Sequence, residues 1–444
     1  MNTIFRILSI ASVLGVASGG GAFAQPVANL GPSSHDVIAT VGFPNDSYND
    51  GDPHLTTVDG VHYEFQGAGE FVALRDGAGM QIQTRQTGVT TATPYTSPHS
   101  GLTTCVAVNT ALAARVGTHR VTYQPSGSGA AGMQLRVDGA VVATPGVSGV
   151  TLGSGGRVAS NVASGINIDF PDGTSMSAFP NYWAAQSVYY LNISVFHTPA
   201  TEGLMGAMAP GSWLPALPNG SSLGPAPATM HQRFVDLQQT FANAWRVTAA
   251  TSLFDYASGT STATFNFPGY PPENPPCVFP KSPPAKPLDR NTAQRMCHDV
   301  IDKNRNANCV FDVAVTGEQG FVKAYVISER LEAGATRTNL TDDKDTSPVG
   351  GPVRFTATVK REASSSGGVP VGAVQFSVDG ARASDPVKLD AEGRATWTTS
   401  RLSAGKHNVS ARYLPTESSV FLTSTSFDKV HAVIRGGGGP ARTE

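Results

Sequence analysis

From residue 51 onward the commonest spacing between apolar residues is two. Val61, Tyr63 and Phe65 alternate with His62, Glu64 and Gln66; Ile166, Ile168 and Phe170 alternate with Asn167 and Asp169; Leu191, Ile193 and Val195 alternate with Asn192 and Ser194. Successive side chains of a strand point to opposite faces, so each segment predicts a strand with one buried face. "VDG" at 137–139 and "PDG" at 171–173 supply turns between such strands. The sum is an antiparallel β domain. Near its end Met230, Phe234, Leu237 and Phe241 recur at helical spacing, the apolar stripe of a short helix. "FANAWRV" then returns the chain to the core through Trp245.

The pattern changes at 266–288, "NFPGYPPENPPCVFPKSPPAKPL". Proline-rich sequence forms no regular ladder, so this is expected to be a stiff, extended connector pinned by Cys277. Beyond it Ala293, Cys297, Val300 and Ile301 share one helical face, and "CVFDVAVTG" alternates as a strand, predicting a small α/β extension. After the polar stretch "TNLTDDKDTSPVGG", alternation resumes at Val353, Phe355, Ala357 and Val359, at Val374, Phe376 and Val378, and at Val409, Ala411 and Tyr413. Short alternating strands of this kind predict a β-sandwich with Trp397 in its core. The expected organisation is a mobile lead-in over 25–50, a β domain over 51–256, a connector over 257–288, the extension over 289–333, a sandwich over 337–432 and a disordered tail over 433–444.

The first 24 residues refine this picture. "MNTIFR" carries one arginine, "ILSIASVLGVA" is an apolar run of signal-peptide length, and "AFA" precedes Gln25, so residues 1–24 read as a secretory signal peptide. No stretch reaches the roughly 20 apolar residues of a membrane helix. The expectation is a chain secreted to the cell surface, periplasm or medium, without membrane insertion. With 31 basic and 33 acidic residues the net charge is -2, too balanced to point to nucleic acid. Four cysteines in an exported protein read as two disulfides with three possible connectivities. The short loop favours Cys297 with Cys309, which leaves Cys105 with Cys277. No CxxC pair is present to suggest zinc.

"GDPHLTTVDGVHYEFQGAGEFVAL", beginning at Gly51, resembles the opening of the von Willebrand factor type D domain. "GLMGAMAPGS" stands where that family carries a GLCGN-type motif, and "FANAWRVTAATSLFDY" resembles its closing segment. "CHDVIDKNRNANCVFDVAVTGEQGFVKAY" resembles the short cysteine-bearing extension that follows type D domains in some extracellular proteins. "VGAVQFSVDG", "AEGRATWTTSRLSAGKHNVSARYLP" and "STSF" resemble bacterial Ig-like repeats of surface and adhesin proteins. The implied fold is mainly β: a sandwich-like type D domain, a disulfide-stapled α/β extension and a C-terminal Ig-like sandwich. Gly69 and Met205 stand where cysteines are common in the type D family, so most of its disulfide lattice is missing. Type D domains can also bind calcium, for which Asp52 and Asp59 are the candidates here. The loop "AMAPGSWLPALPNG" has Ala207 and Ala209 where oxygen donors are needed, and calcium wants six to eight oxygens. No cofactor is therefore expected.

The acidic and histidine-bearing opening, Asp52, His54, Asp59, His62 and Glu64, is the densest chemistry in the chain. Alternation places His62 and Glu64 opposite the apolar face, where a solvated strand surface explains them. No GxSxG, HExxH or Walker A pattern appears. Tyr182, Trp183, Tyr189 and Tyr190 are candidates for stacking on sugar rings. In some type D proteins the GDPH sequence breaks at its Asp-Pro bond, making Asp52, Pro53 and His54 candidates for self-cleavage. The expected function is a non-catalytic secreted structural or adhesion protein whose partners are extracellular or cell-surface proteins or glycans. The alternative is an exported glycan-binding protein or hydrolase acting on envelope or matrix polysaccharide. The sequence leaves the oligomeric state open.

Overall fold

The computed structural model describes residues 46–435 except 78, 93–94, 128, 144–148, 154, 162–163, 362–368, 417–420 and 427. The expected signal peptide, residues 25–45 of the lead-in and the tail beyond 435 lie outside the described residues, while Val433 and Ile434, expected in the disordered tail, end the strand Lys429–Ile434.

Two antiparallel sheets form the N-terminal part. The eight-stranded sheet runs Val150–Gly153, Gly156–Ser160, Ile166–Asp169, Ser175–Trp183, Val188–Phe196, Ser47–Asp50, His54–Thr56 and His62–Glu64. The six-stranded sheet runs Ala140–Val142, Met133–Val137, His119–Pro125, Val106–Val116, Gln81–Val89 and Gly69–Arg75. Residues 47–50, expected in the lead-in, instead form an inner strand between Val188–Phe196 and His54–Thr56. The alternating residues do what their period requires: Tyr63, Phe65, Ile166, Ile168, Leu191, Ile193 and Val195 fill the core between the sheets. Leu237, Phe241 and Trp245 close it from the helical run Met230–Trp245, which has a π-helical middle.

The proline-rich segment lies along the six-stranded sheet. Tyr270 and Phe279 pack against each other, the Tyr270 hydroxyl donates to the Val89 carbonyl at 2.9 Å, and Cys277 is bonded to Cys105. One short helix, Thr262–Phe265, precedes it in the connector.

The extension corrects the sequence reading. It is helical throughout, with Arg290–Met296, Lys303–Thr316 and Gly320–Ala333 as its α-helices, so "CVFDVAVTG" is not a strand. The β-branched residues suggest a strand, but the helix ends decide otherwise. Asp302 caps the backbone N–H groups of Asn304 and Arg305 at 3.0 and 2.9 Å, and Gly317 takes a left-handed φ of 70° at the C-terminus. The Cys297–Cys309 bond therefore staples helix to helix. Ala293, Cys297 and Val300 are buried as expected, but Ile301 is 87% exposed.

This helical layer covers the second face of the eight-stranded sheet. Tyr48, Phe179, Trp183, Tyr190 and Phe196 on the sheet meet Val310, Val313, Phe321 and Tyr325 on the helices in a separate core. The central strands Ser175–Trp183, Val188–Phe196 and Ser47–Asp50 are thus covered on both faces. Among the described residues, no helix is long and apolar enough to cross a membrane.

The C-terminal sandwich pairs Thr336–Asp342, Val353–Arg361 and Arg394–Thr399 in one sheet. Gly405–Pro415 in the facing sheet lies between Gly372–Val378 and Lys429–Ile434. Trp397 stacks between Phe355 and Phe376 at 5.7 and 5.6 Å. The sandwich is tied to the rest of the chain by Arg412, whose Nη2 lies 2.5 Å from Asp169, and by His197 Nε2, 2.9 Å from the Thr336 carbonyl.

Candidate functional site

The opening motif forms the turn between the strands Ser47–Asp50 and His54–Thr56, with Asp50 opposite His54. Gly51 holds φ at +64°, a conformation L side chains rarely adopt. A Cβ there would also overlap Asp312 Oδ2 and the Tyr325 hydroxyl. On the other side of the Asp52–Pro53 bond, the Phe65 N–H donates to the Pro53 carbonyl at 3.2 Å.

Around this turn the structure assembles Asp52, His54 and Asp312, all buried. His54 Nε2 lies 2.6 Å from Asp52 Oδ1 and 2.9 Å from Asp312 Oδ1, and its Nδ1 faces Glu64 Oε1 at 3.6 Å. Asp312 Oδ2 accepts from the Asp52 backbone N–H at 3.2 Å and from the Tyr325 hydroxyl at 2.9 Å. The His54 ring stands edge-on to Phe311 at 5.7 Å.

The electrostatics follow from burying these charges together. Burial alone would pull the imidazole of His54 down, but Asp52 and Asp312 outweigh it and raise its pKa well above the ordinary value. Burial, helped by the neighbouring Asp52, pushes the Asp312 carboxyl well above the usual carboxylate range. Tyr325 is raised by burial and by the same carboxylates. Two carboxylates and an imidazole are also a possible metal-ligand set. Donor atoms around a tetrahedral ion with bonds of about 2.0–2.1 Å sit about 3.3 Å apart. Here Nε2 is closer than that to an oxygen of each carboxylate: it hydrogen-bonds to Asp312 Oδ1 and faces Asp52 Oδ1 as a close ion pair.

A second buried network lies beside the first. Asp50 accepts from Asn192 Nδ2 at 3.1 Å, Ser328 Oγ at 2.8 Å and Arg305 Nε at 3.1 Å. Arg305 also pairs with Glu332 and lies over the Tyr48 ring at 4.6 Å. Burial opposes its charge, and Asp50 and Glu332 more than restore it.

The other sequence candidates are placed as follows. His62 and Glu64, expected on a solvated face, are half-buried. The His62 ring contacts Thr56 Oγ1 at 2.7 Å and Asn304 Nδ2 of the helical layer at 3.2 Å, and burial pulls its pKa down. Asp59 stays outside the triad. It accepts from Thr57 and from the Met208 N–H at 2.9 Å, tying its turn to the loop that contains Met205. Of the aromatic quartet, Trp183 and Tyr190 are core residues packed against Phe321. Tyr182 and Tyr189 are half-buried and face each other at 4.8 Å. Both disulfides pair as the short-loop argument expects.

Sequence reasoning missed Asp312, Tyr325, Asp50 and Arg305. One signal was present: a lone aspartate inside the apolar run "CVFDVAV" has no solvated face to occupy and needs a buried partner.

Residues 340–433 match the bacterial Ig-like domain (group 3) family. An alignment 221 positions long, covering 43% of the chain, is 29% identical to human Mucin-4 and spans 4% of that protein's length. Similar solved structures include a CARDB domain from Pyrococcus furiosus (16% identity, 22% of this chain and 87% of that one, TM-score 0.18). They also include a polysaccharide lyase (9% identity, 84% and 40%, TM-score 0.19). A third is a protein of Corynebacterium diphtheriae described as membrane-anchored (11% identity, 85% and 55%, TM-score 0.20). None of the three superposes closely enough to carry an argument.

Proposed function

We propose that the chain is an exported structural or adhesion protein of the extracellular space, in which a type D-like β region and an Ig-like sandwich form a binding platform. The observation that carries this reading is the bacterial Ig-like match over 340–433. The partial likeness to Mucin-4 and the type D-like motifs support it. The Arg412–Asp169 pair, with side chains 16% and 5% exposed, joins the sandwich to the N-terminal sheets. The platform's partners are extracellular proteins or glycans. The test is to apply the purified chain to arrays of matrix proteins and glycans alongside a panel of polysaccharide hydrolase assays. Saturable binding without turnover supports the platform; glycan turnover would instead establish the hydrolase alternative.

One observation favours an additional activity, self-cleavage at Asp52–Pro53. The bond lies in a buried turn whose aspartate touches an imidazole that Asp52 and Asp312 hold well above its ordinary pKa. An Asp-Pro bond breaks when the aspartate carboxylate attacks its own main-chain carbonyl and a proton reaches the proline nitrogen. Fixing the reacting groups in place lowers the barrier, and His54, whose Nε2 lies 2.6 Å from Asp52 Oδ1, is the candidate proton donor. Incubation at about pH 5–6 followed by N-terminal sequencing tests this: a new terminus at Pro53, lost in Asp52→Ala, supports it, and an intact chain after days overturns it.

A further inference from the structure

The atoms around the Asp52–Pro53 bond come from two distant parts of the chain. The turn supplies Asp52 and His54, and the helical layer supplies Asp312 and Tyr325. We propose that Asp312 is a positioning residue for scission of this bond, so that the bond becomes cleavable only once the helical layer has docked on the sheet. This rests on the self-cleavage reading above.

One carboxylate grips both sides of the reacting group. Asp312 Oδ2 holds the Asp52 N–H at 3.2 Å, on the acyl side, and Oδ1 holds His54 Nε2 at 2.9 Å, on the amine side. The Tyr325 hydroxyl, donating to the same Oδ2 at 2.9 Å, fixes the carboxylate itself. In the reaction an Asp52 side-chain oxygen bonds to the Asp52 main-chain carbonyl carbon and the bond to the Pro53 nitrogen breaks. The imidazolium proton passes to that nitrogen. The products are a cyclic anhydride, a secondary amine at Pro53 and a neutral imidazole. Water then opens the anhydride to the two carboxyl groups of a C-terminal Asp52.

Asp312 makes the attack possible in a second way. Nε2 sits 2.6 Å from Asp52 Oδ1, and a lone imidazolium would hold that carboxylate in the ion pair, away from its own carbonyl. Asp312 offers the imidazolium another acceptor, so Asp52 can leave the pair while the proton donor stays in place. Nothing in the turn replaces this function, because Glu64 faces the other ring nitrogen at 3.6 Å.

The fragments stay together after scission. Ser47–Asp50 remains paired with strands on both sides, and Asp50 stays bonded to Asn192, Ser328 and Arg305. The readout is therefore intact mass under denaturing conditions.

The experiment follows cleavage of the full chain between about pH 5 and 8 in wild type, Asp312→Asn, Asp312→Ala and Tyr325→Phe, with a thermal melt of each. Asp312→Asn is expected to slow cleavage at least about tenfold, since small misplacements of reacting groups cost that much or more. It should also move the upper limb of the pH profile to lower pH, because His54 loses one of two carboxylates that keep it charged. Tyr325→Phe keeps the carboxylate but frees it, and should slow cleavage severalfold. If Asp312→Ala does not fold, the near-isosteric Asp312→Asn and Tyr325→Phe carry the test. Cleavage at the wild-type rate and pH profile in folded Asp312→Asn overturns the role of Asp312 and leaves self-cleavage standing. A wild-type chain that never cleaves overturns both.

Discussion

His54 Nε2 lies 2.9 Å from Asp312 Oδ1, joining residues 258 apart in sequence at a fully buried point between a β-turn and a helix. The contact is a joint between two layers of the molecule, and both partners titrate. Its strength therefore depends on pH, and the joint adds a titrating contact to the apolar packing between the helical layer and the sheet.

The sign of that dependence follows from the directions of the shifts. The folded pKa of His54 is raised above 6.5, so its contribution to stability is complete below that value and lost as pH climbs through the raised one. Asp312 is raised above 3.8 by burial and by Asp52, against the pull of His54, so its contribution likewise declines as pH rises from 3.8 through the raised value. Both effects run the same way. The Tm should fall between about pH 6 and pH 9, and His54→Gln, uncharged throughout, should flatten the profile. A Tm that rises over this range would contradict the charged triad.

Gly51→Ala should destabilise the fold by at least about 2 kcal/mol, because it adds a strained φ to an overlap with Asp312 and Tyr325. Gly60 also has a positive φ, +82°, but meets nothing within 4 Å. Its alanine variant should lose only about 1 kcal/mol. Urea melts of the two variants check the difference, and equal losses would mean that the turn is not seated against the helix.

Arg305→Met leaves the buried Asp50 and the half-buried Glu332 without their cation and should cost about 3–5 kcal/mol. Adding Asp50→Asn should return part of that loss, since the uncompensated charge is the main penalty. A double-mutant cycle measures the coupling; strict additivity would show that the network carries no joint energy.

The two disulfides should differ in weight. Cys297–Cys309 has a sequence separation of 12 and Cys105–Cys277 one of 172. Loop-closure entropy predicts losses of about 3 and about 5 kcal/mol on replacing each pair with alanine. Hydrogen exchange should show the first replacement loosening the helical layer before the sheets, and the second freeing the proline-rich segment from the six-stranded sheet.

Much of the architecture was legible residue by residue. Leu191, Ile193 and Val195 share a face because strand side chains alternate, and that face lies in the core of the sandwich. Phe355, Phe376 and Trp397 were expected in the C-terminal core and stack there. The helix over Met230–Trp245 and the disulfide pairing were readable from spacing in the same way. The Lys303–Thr316 helix was misread because Val310, Val313 and Val315 imitate a strand, although Asp302 and Gly317 were visible as its ends.

Local periodicity thus determined which residues of each strand act together, because the alternation is a property of the backbone alone. It did not determine what covers the opposite face. Tyr190, Asn192, Ser194 and Phe196 are as compatible with solvent as with a second layer, and only docking of the helices buries them. The site depends on the same event. Asp52 and His54 stand two residues apart, but their charge states and bonding partners come from Asp312 and Tyr325, which no spacing rule links to them. Burial and proximity set a pKa, and across 258 residues both are products of the tertiary structure alone.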